Sequence, residues 1–259
     1  MNVVALQFDI AWEDKVANFE KVRSLLTGLP PERNSLIALP EMFATGFSMN
    51  ADTVAEPYGG ETEQFLAGTA KEFGVYLLGG AAMRGRNGQA RNKALVYSPA
   101  GELIAFYAKM RPFTPGGEPQ HYVAGEAPMA FRWNDCSVAP FICYDLRFPE
   151  IFREAVAAHR PELFVVISNW PEKRIRHWIA LLQARAIENQ AYVVGVNRVG
   201  RDPYYNYGGR SMIIDPQGEV VADAGGREGS ISARLDLATM RKYRAGLPFL
   251  ADMKALRTS

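Results

Sequence analysis

Histidine and cysteine are scarce in this sequence, at three and two among 259 residues. Cys136 and Cys143 stand seven positions apart, which is not a disulfide framework. His121, His159 and His177 are scattered, and no Cys/His cluster has zinc-ligand spacing. No metal and no cofactor is therefore expected. An excess of charge of one sign is also missing. Lys and Arg number 29 against 28 Asp and Glu, so no basic field exists to hold a nucleic-acid backbone. No apolar run reaches the roughly 18 residues of a membrane span. Asp9, Glu13 and Asp14 interrupt the N-terminus before the apolar core of a signal peptide can form. The expectation is a cytoplasmic protein that engages neither nucleic acid nor membrane.

What is present is an ordinary globular composition, 48% hydrophobic and 22% charged, which rules out disorder as the main state. Residues 3–8 read as a short buried strand, and Val16, Phe19, Val22 and Leu26 mark a helix over 13–26. A strand over 35–39, a helix around 65–73 and a strand over 75–83 follow. This alternation argues for an α/β fold. Residues 95–106 and 212–223 echo each other: strand, Pro-x-Gly-Glu turn, return strand. They are either two unrelated hairpins or the mark of two similar α/β halves. The second half continues with a strand over 138–143, a helix from Pro149, a strand over 163–168, a helix over 175–190 and a strand over 192–197. Two stretches, 110–126 and 199–209, lack periodicity and read as functional or mobile loops. No linker is visible, so one domain over 1–259 is expected.

Three residue types then invite a chemical reading. Cys143 ends an apolar strand just before the helix opened by Pro149. A strand-to-helix turn can present a nucleophile beside backbone N–H groups; a buried inert thiol is the alternative. Glu41 follows Leu39-Pro40 at the end of another strand, either as a solvated loop charge or as a carboxylate at the sheet edge where ligands of α/β folds gather. Lys109 ends the return strand of the first hairpin; it is either a surface lysine or a fixed ammonium. Together they have a logic that dispenses with histidine. A thiol attacks a carbonyl, a carboxylate shuttles the proton, and an ammonium holds the oxyanion. Cys136 reads as structural.

Four segments carry a resemblance: Leu39-Pro40-Glu41, Tyr107-Ala108-Lys109, Cys143-Tyr144-Asp145-Leu146-Arg147-Phe148-Pro149 and Arg185-Ala186-Ile187-Glu188-Asn189-Gln190. The chain resembles the carbon–nitrogen hydrolase (nitrilase) superfamily over nearly its whole length. The resemblance implies a four-layer α-β-β-α sandwich, with two mixed sheets face to face and an internal pseudo-duplication. It implies Glu41 as base and acid, Lys109 as oxyanion partner and Cys143 as nucleophile. It places a second glutamate at Glu118, orienting Lys109, and a second oxyanion donor at the Tyr144 N–H. It also implies a homodimer, for which residues 237–259 are a candidate interface.

The Cys143–Pro149 segment and Ser168-Asn169-Trp170-Pro171 look most like the ω-amidase branch. That branch hydrolyses the terminal amide of small dicarboxylate monoamides such as α-ketoglutaramate. Such a substrate carries a free carboxylate, so the site needs a cation away from Cys143. Arg174 is the first candidate, with Arg176 and Lys173 behind it, at a helix start that itself favours anions. Asn169 and Trp170 are further substrate-binding candidates. Arg147 reads as a structural partner of a carboxylate, Arg185 and Glu188 as a pair one helical turn apart, and His177 as a packed helix residue. The rival readings are an N-carbamoyl amino-acid hydrolase or aliphatic amidase, a thiol hydrolase using His121 or His177, an inactive binding module, and a redox sensor using both cysteines.

Overall fold

The computed structural model describes residues 1–253. The strands are β1 (Asn2–Gln7), β2 (Leu36–Ala38), β3 (Tyr76–Arg84), β4 (Ala90–Tyr97), β5 (Leu103–Ala108), β6 (Phe131–Trp133) and β7 (Cys136–Ile142). They continue as β8 (Leu163–Ile167), β9 (Tyr192–Val196), β10 (Val199–Arg201), β11 (Asn206–Gly208), β12 (Met212–Ile214), β13 (Val220–Asp223) and β14 (Gly229–Arg234). The helices are α1 (Lys15–Gly28), α2 (Ala51–Val54), α3 (Glu61–Phe73), α4 (Pro149–His159), α5 (Ile175–Asn189) and α6 (Leu237–Gly246).

One six-stranded sheet runs β14-β1-β2-β3-β4-β5 and the other β6-β7-β8-β9-β12-β13. Read in that order, each has an antiparallel pair, two parallel pairs and two antiparallel pairs. The two echoing segments become equivalent outer hairpins, β4–β5 and β12–β13. The pseudo-duplication is therefore a property of the fold, and the two-halves reading of the echo holds.

Strand periodicity decides the layers. Val3, Ala5, Leu36, Ala38, Leu78, Ala94 and Val96 share one core with the strands of the second sheet. The intervening Val4, Leu6, Ile37, Leu39, Leu77 and Leu95 form a second core with Val22 and Leu26 of α1 and Phe65 and Leu66 of α3. Side chains alternate across a pleated strand, so the first sheet is covered on both faces. Phe152 of α4 and Trp178 and Leu182 of α5 cover the second sheet from outside. The result is the expected α-β-β-α sandwich. Each large apolar side chain so buried contributes about 1.5–3 kcal/mol relative to exposure.

Local chemistry sets the element ends. Asp14 caps α1 by accepting the Ala17 N–H at 3.0 Å, so the helix starts two residues later than its apolar spacing predicts. Pro149 stands at the first turn of α4, where its missing N–H costs nothing. The stretch 199–209 is not a plain loop but the β10–β11 hairpin. Asp202 builds its turn by accepting the N–H groups of Tyr204 and Tyr205, each at 2.7 Å; no Asn-Gly or Asp-Gly signal announced it. In α6, Leu237 and Met240 pack into the shared core. The last part of the proposed interface segment, residues 254–259, lies outside the described residues.

Gly80 of β3 lies against the chain that follows β2. A Cβ there would stand 2.5 Å from the Met42 nitrogen and 2.6 Å from the Glu41 Cα. Both neighbours are backbone, so neither yields cheaply. Gly80→Ala is predicted to cost about 1–3 kcal/mol in urea unfolding, as overpacking does, and to reduce activity by displacing Glu41. Wild-type stability together with wild-type activity would contradict this.

Candidate active site

The chemistry-bearing residues gather at the carboxyl ends of the parallel strands, the edge where α/β sheets bind ligands. Cys143 directly follows β7, Lys109 directly follows β5, Glu41 stands just past β2 and Asn169 just past β8. Glu118 opens a short 3-10 turn, Glu118–Gln120.

At the centre is a buried ammonium between two buried carboxylates. Lys109 Nζ lies 2.8 Å from Glu41 Oε1 and 2.8 Å from Glu118 Oε2. Lys109 is 2% exposed, and Glu41 and Glu118 are 0% exposed. Burial opposes the Lys109 charge, but Glu118 and Glu41 outweigh it, so the ammonium holds its proton more tightly than a free lysine. The Glu118 carboxylate also accepts the Phe113 N–H. The Asn169 N–H donates to Glu41 Oε2 at 2.9 Å, and Asn169 Nδ2 donates to the Glu41 backbone carbonyl at 2.6 Å. Asn169 thus fixes Glu41 from the opposite sheet.

Cys143 has φ +47°, a left-handed conformation that side chains rarely adopt. The turn Cys143–Arg147 is held by Asp145, which accepts from Ile142 N–H (3.0 Å), Tyr107 Oη (2.8 Å) and Arg111 N–H (2.8 Å). Burial pushes the Asp145 carboxyl up to about 7, against the pull of Lys109 and these donors. Burial and then Glu41 push the Cys143 thiol well up, with Lys109 pulling the other way. Burial also raises Cys136, to about 12. Cys136 and Cys143 lie at opposite ends of β7, roughly 20 Å apart at strand rise, so they cannot pair.

A narrow cleft opens above Cys143. Its walls are aromatic: Phe47, Phe113, Tyr144, Trp170, Tyr205 and Tyr207. Among the described residues two guanidiniums, Arg147 and Arg174, line it, and no carboxylate does. Arg174 lies 5.5 Å from the Phe113 ring centre and 5.9 Å from that of Tyr205. Its sequence context predicts a carboxylate partner for Arg147, but among the described residues it has none. It stacks over Trp170 at 4.6 Å and meets His177 Nδ1 at 3.4 Å. Trp170 supplies a flat apolar face that a planar guanidinium covers well. His177 is exposed rather than packed, because α5 turns Trp178 inward and the two residues before it outward. Arg176 and Lys173 are exposed and do not line the cleft, whereas Arg174, in the turn just ahead of α5, does. Arg185 and Glu188 pair at 2.9 Å, as expected. His121 is exposed on a separate cleft. Among the described residues no group of three or more His, Cys, Asp and Glu could hold a metal ion, and no helix is long and apolar enough to cross a membrane.

Residues 2–245 match the Carbon-nitrogen hydrolase family. The chain belongs to the carbon–nitrogen hydrolase family. It is therefore a hydrolase of carbon–nitrogen bonds, and its two six-stranded sheets are the family's sandwich. Omega-amidase YafV of Escherichia coli (strain K12) is 36% identical over 99% of this chain and 98% of its own. The 2-oxoglutaramate amidase of Bacillus subtilis (strain 168) is 32% identical over 97% of each chain. XC1258 from Xanthomonas campestris, a CN-hydrolase superfamily protein crystallised with an arsenic adduct in its active site, superposes with TM-score 0.93. It is 31% identical and covers 100% of this chain and 99% of its own.

The structure of this hydrolase adds residues that sequence reasoning passed over. Asp145 and Tyr107 brace the cysteine turn, and Asn92 of β4 stands between Glu41 and Glu118. Asn92 had a signal: it shares the inward face of β4 with Ala94 and Val96. The raised thiols generate a prediction. Burial disfavours the charged thiolate, so both cysteines stay protonated in the folded protein where a free thiol ionises. Ultraviolet thiolate absorbance should show no step below about pH 9, past the ordinary thiol midpoint. A step in that range that vanishes in Cys143→Ser would contradict it.

Proposed function

We propose that the protein is an ω-amidase, hydrolysing the terminal amide of a small dicarboxylate monoamide such as α-ketoglutaramate to a dicarboxylate and ammonia. One observation carries this reading. The cleft above the Cys143 thiol has two guanidiniums and no acid among its described lining residues. A neutral amide has no use for two cations; a substrate with a carboxylate beyond its amide does. The omega-amidase and 2-oxoglutaramate amidase names of full-length relatives support the same class.

The positions support the following mechanism. The amide carbonyl carbon approaches Cys143 Sγ, with the distal carboxylate toward Arg174 and Arg147 and the chain between the aromatic walls, Trp170 among them. Sulfur attacks carbon as the thiol proton passes to Glu41. The thiol needs this base, because burial and Glu41 itself keep it protonated at rest. The oxyanion is received by the Lys109 ammonium and the Tyr144 N–H; one such preorganised donor is typically worth roughly 3 kcal/mol of barrier. Glu41 returns the proton to nitrogen, the carbon–nitrogen bond breaks and ammonia leaves a thioester on Cys143. Water then attacks the thioester as Glu41 takes one of its protons. The carbon–sulfur bond breaks, the acid is released and the proton returns to the thiol. Glu118 holds Lys109 in line throughout, and Asn169 fixes Glu41.

Ammonia release should be strong from α-ketoglutaramate or succinamate and weak from butyramide, which lacks the carboxylate. Arg174→Met and Arg147→Met should each raise KM by about 10- to 100-fold, the worth of a charge-assisted hydrogen bond, with kcat little changed. Equal turnover of succinamate and butyramide, or preference for an N-carbamoyl amino acid, would overturn the substrate assignment. Cys143→Ala should abolish turnover, and Glu41→Gln should lower kcat by about 10²- to 10⁴-fold, as loss of a general base does. Retained activity in either would overturn the mechanism.

A further inference from the structure

We infer that Asn92 is a positioning residue of this site: it ties Glu41 and Glu118 together around Lys109 and so directs the Cys143 proton to Oε2 of Glu41. The inference rests on the amide-hydrolysis reading for the role of Glu41. Its geometry stands apart from which amide is the substrate.

Asn92 sits near the start of β4, 1% exposed. Its Nδ2 donates to Glu41 Oε1 at 2.7 Å and to Glu118 Oε1 at 2.9 Å. Lys109 Nζ closes the ring from the other side, at 2.8 Å from each carboxylate. The backbone joins the two ring-closers as well, since the Lys109 N–H donates to the Asn92 carbonyl at 2.9 Å. The first hairpin thus delivers both donors side by side. The amide can face only one way. Exchanging its nitrogen and oxygen would set an acceptor against two carboxylate oxygens. Facing this way leaves Asn92 Oδ1 buried without a partner. An orphaned buried acceptor is a cost that a strand position needing only bulk does not incur, since an apolar side chain would fill it.

The donors distribute unevenly over the carboxylate oxygens. Glu41 Oε1 accepts from both Asn92 and Lys109, while Oε2 accepts the Asn169 N–H. A proton arriving at Oε1 meets two hydrogens already aimed at that oxygen. Oε2 carries one donor and has lone-pair room for the thiol proton. A primary amide suits the ring position because it supplies two donors without a charge. The cluster's positive charge then stays on Lys109, where the oxyanion needs it. An aspartate has the same shape but offers acceptors in place of donors.

Asn92→Asp therefore separates position from shape. At neutral pH its kcat should fall by about 100-fold or more, the scale of a misplaced general base, with KM within a few-fold of wild type. Its activity relative to wild type should then rise as pH falls, because the protonated carboxyl regains an O–H donor. A second measurement does not depend on the amide. Alkylation of Cys143 by iodoacetamide, followed by peptide mass, also draws on Glu41 as base. It should slow in Asn92→Asp and in Asn92→Ala to near the rate of Glu41→Gln. If wild type alkylates readily but releases no ammonia from the amides tested, the substrate reading falls and the alkylation rates still decide the role of Asn92. Should the aspartate variant fail to fold, Asn92→Ala carries both measurements. Wild-type kcat and alkylation in the variants, a loss confined to KM, or a kcat deficit of Asn92→Asp that is constant with pH would each overturn the proposal.

Discussion

One ammonium shared by two carboxylates, all three withdrawn from water, is the constraint around which the rest of this site is arranged. Removing a charge from solvent costs several kcal/mol even after the protein relaxes, and the cost is recovered only with close partners and satisfied lone pairs. Lys109, Glu41 and Glu118 meet that condition only together. The loop 110–117 must therefore fold back to present the Phe113 N–H, the strand β3 must carry a glycine where the chain after β2 crosses it, and Asn169 must reach over from the second sheet. The first and last of these meet a carboxylate directly, and the glycine makes room for the backbone that carries one.

The cysteine turn depends on the same strand. Tyr107 and Lys109 lie two residues apart at the end of β5, so they share a face. The lysine binds the carboxylates while the tyrosine hydroxyl reaches Asp145, which pins the left-handed turn at Cys143. Any shift of β5 would move the oxyanion partner and the nucleophile's support together. That coupling keeps thiol, base and ammonium in register without a direct bond between Cys143 and Lys109.

Much of this was legible in the sequence, because two-residue alternation and turn chemistry are local. Val3 to Leu6, Leu36 to Leu39 and the Pro99 and Pro216 hairpins declare their strands and faces without help from the rest of the chain. The placement of Glu118 came from resemblance; its own context, a Gly-Gly-Glu-Pro segment, reads as solvated loop. What was not legible depends on who stands opposite. Arg147 could be read only as some carboxylate's partner, since nothing along the chain reveals that Trp170 supplies the face it covers. Arg174 and Arg176 look alike in sequence, but Arg174 ends the turn before α5 and lines the cleft while Arg176 lies on the helix's exposed first turn. Asn92 stands between Arg91 and Lys93, and this polar run conceals its inward-facing position. The β10–β11 hairpin carries no glycine turn signal, because an aspartate makes its turn.

The duplicated architecture has one more consequence. Glu41, Asn92, Lys109 and Glu118 come from the first half of the chain, and Cys143 and Asn169 from the second; β14, near the end, pairs back onto β1. A ribosome releasing this chain makes the acid–base apparatus first and the sulfur later, and the sheet that carries the former is completed last. Until the halves meet, the thiol has no base and the base has no thiol. Catalysis thus requires that both halves of the chain be folded against each other.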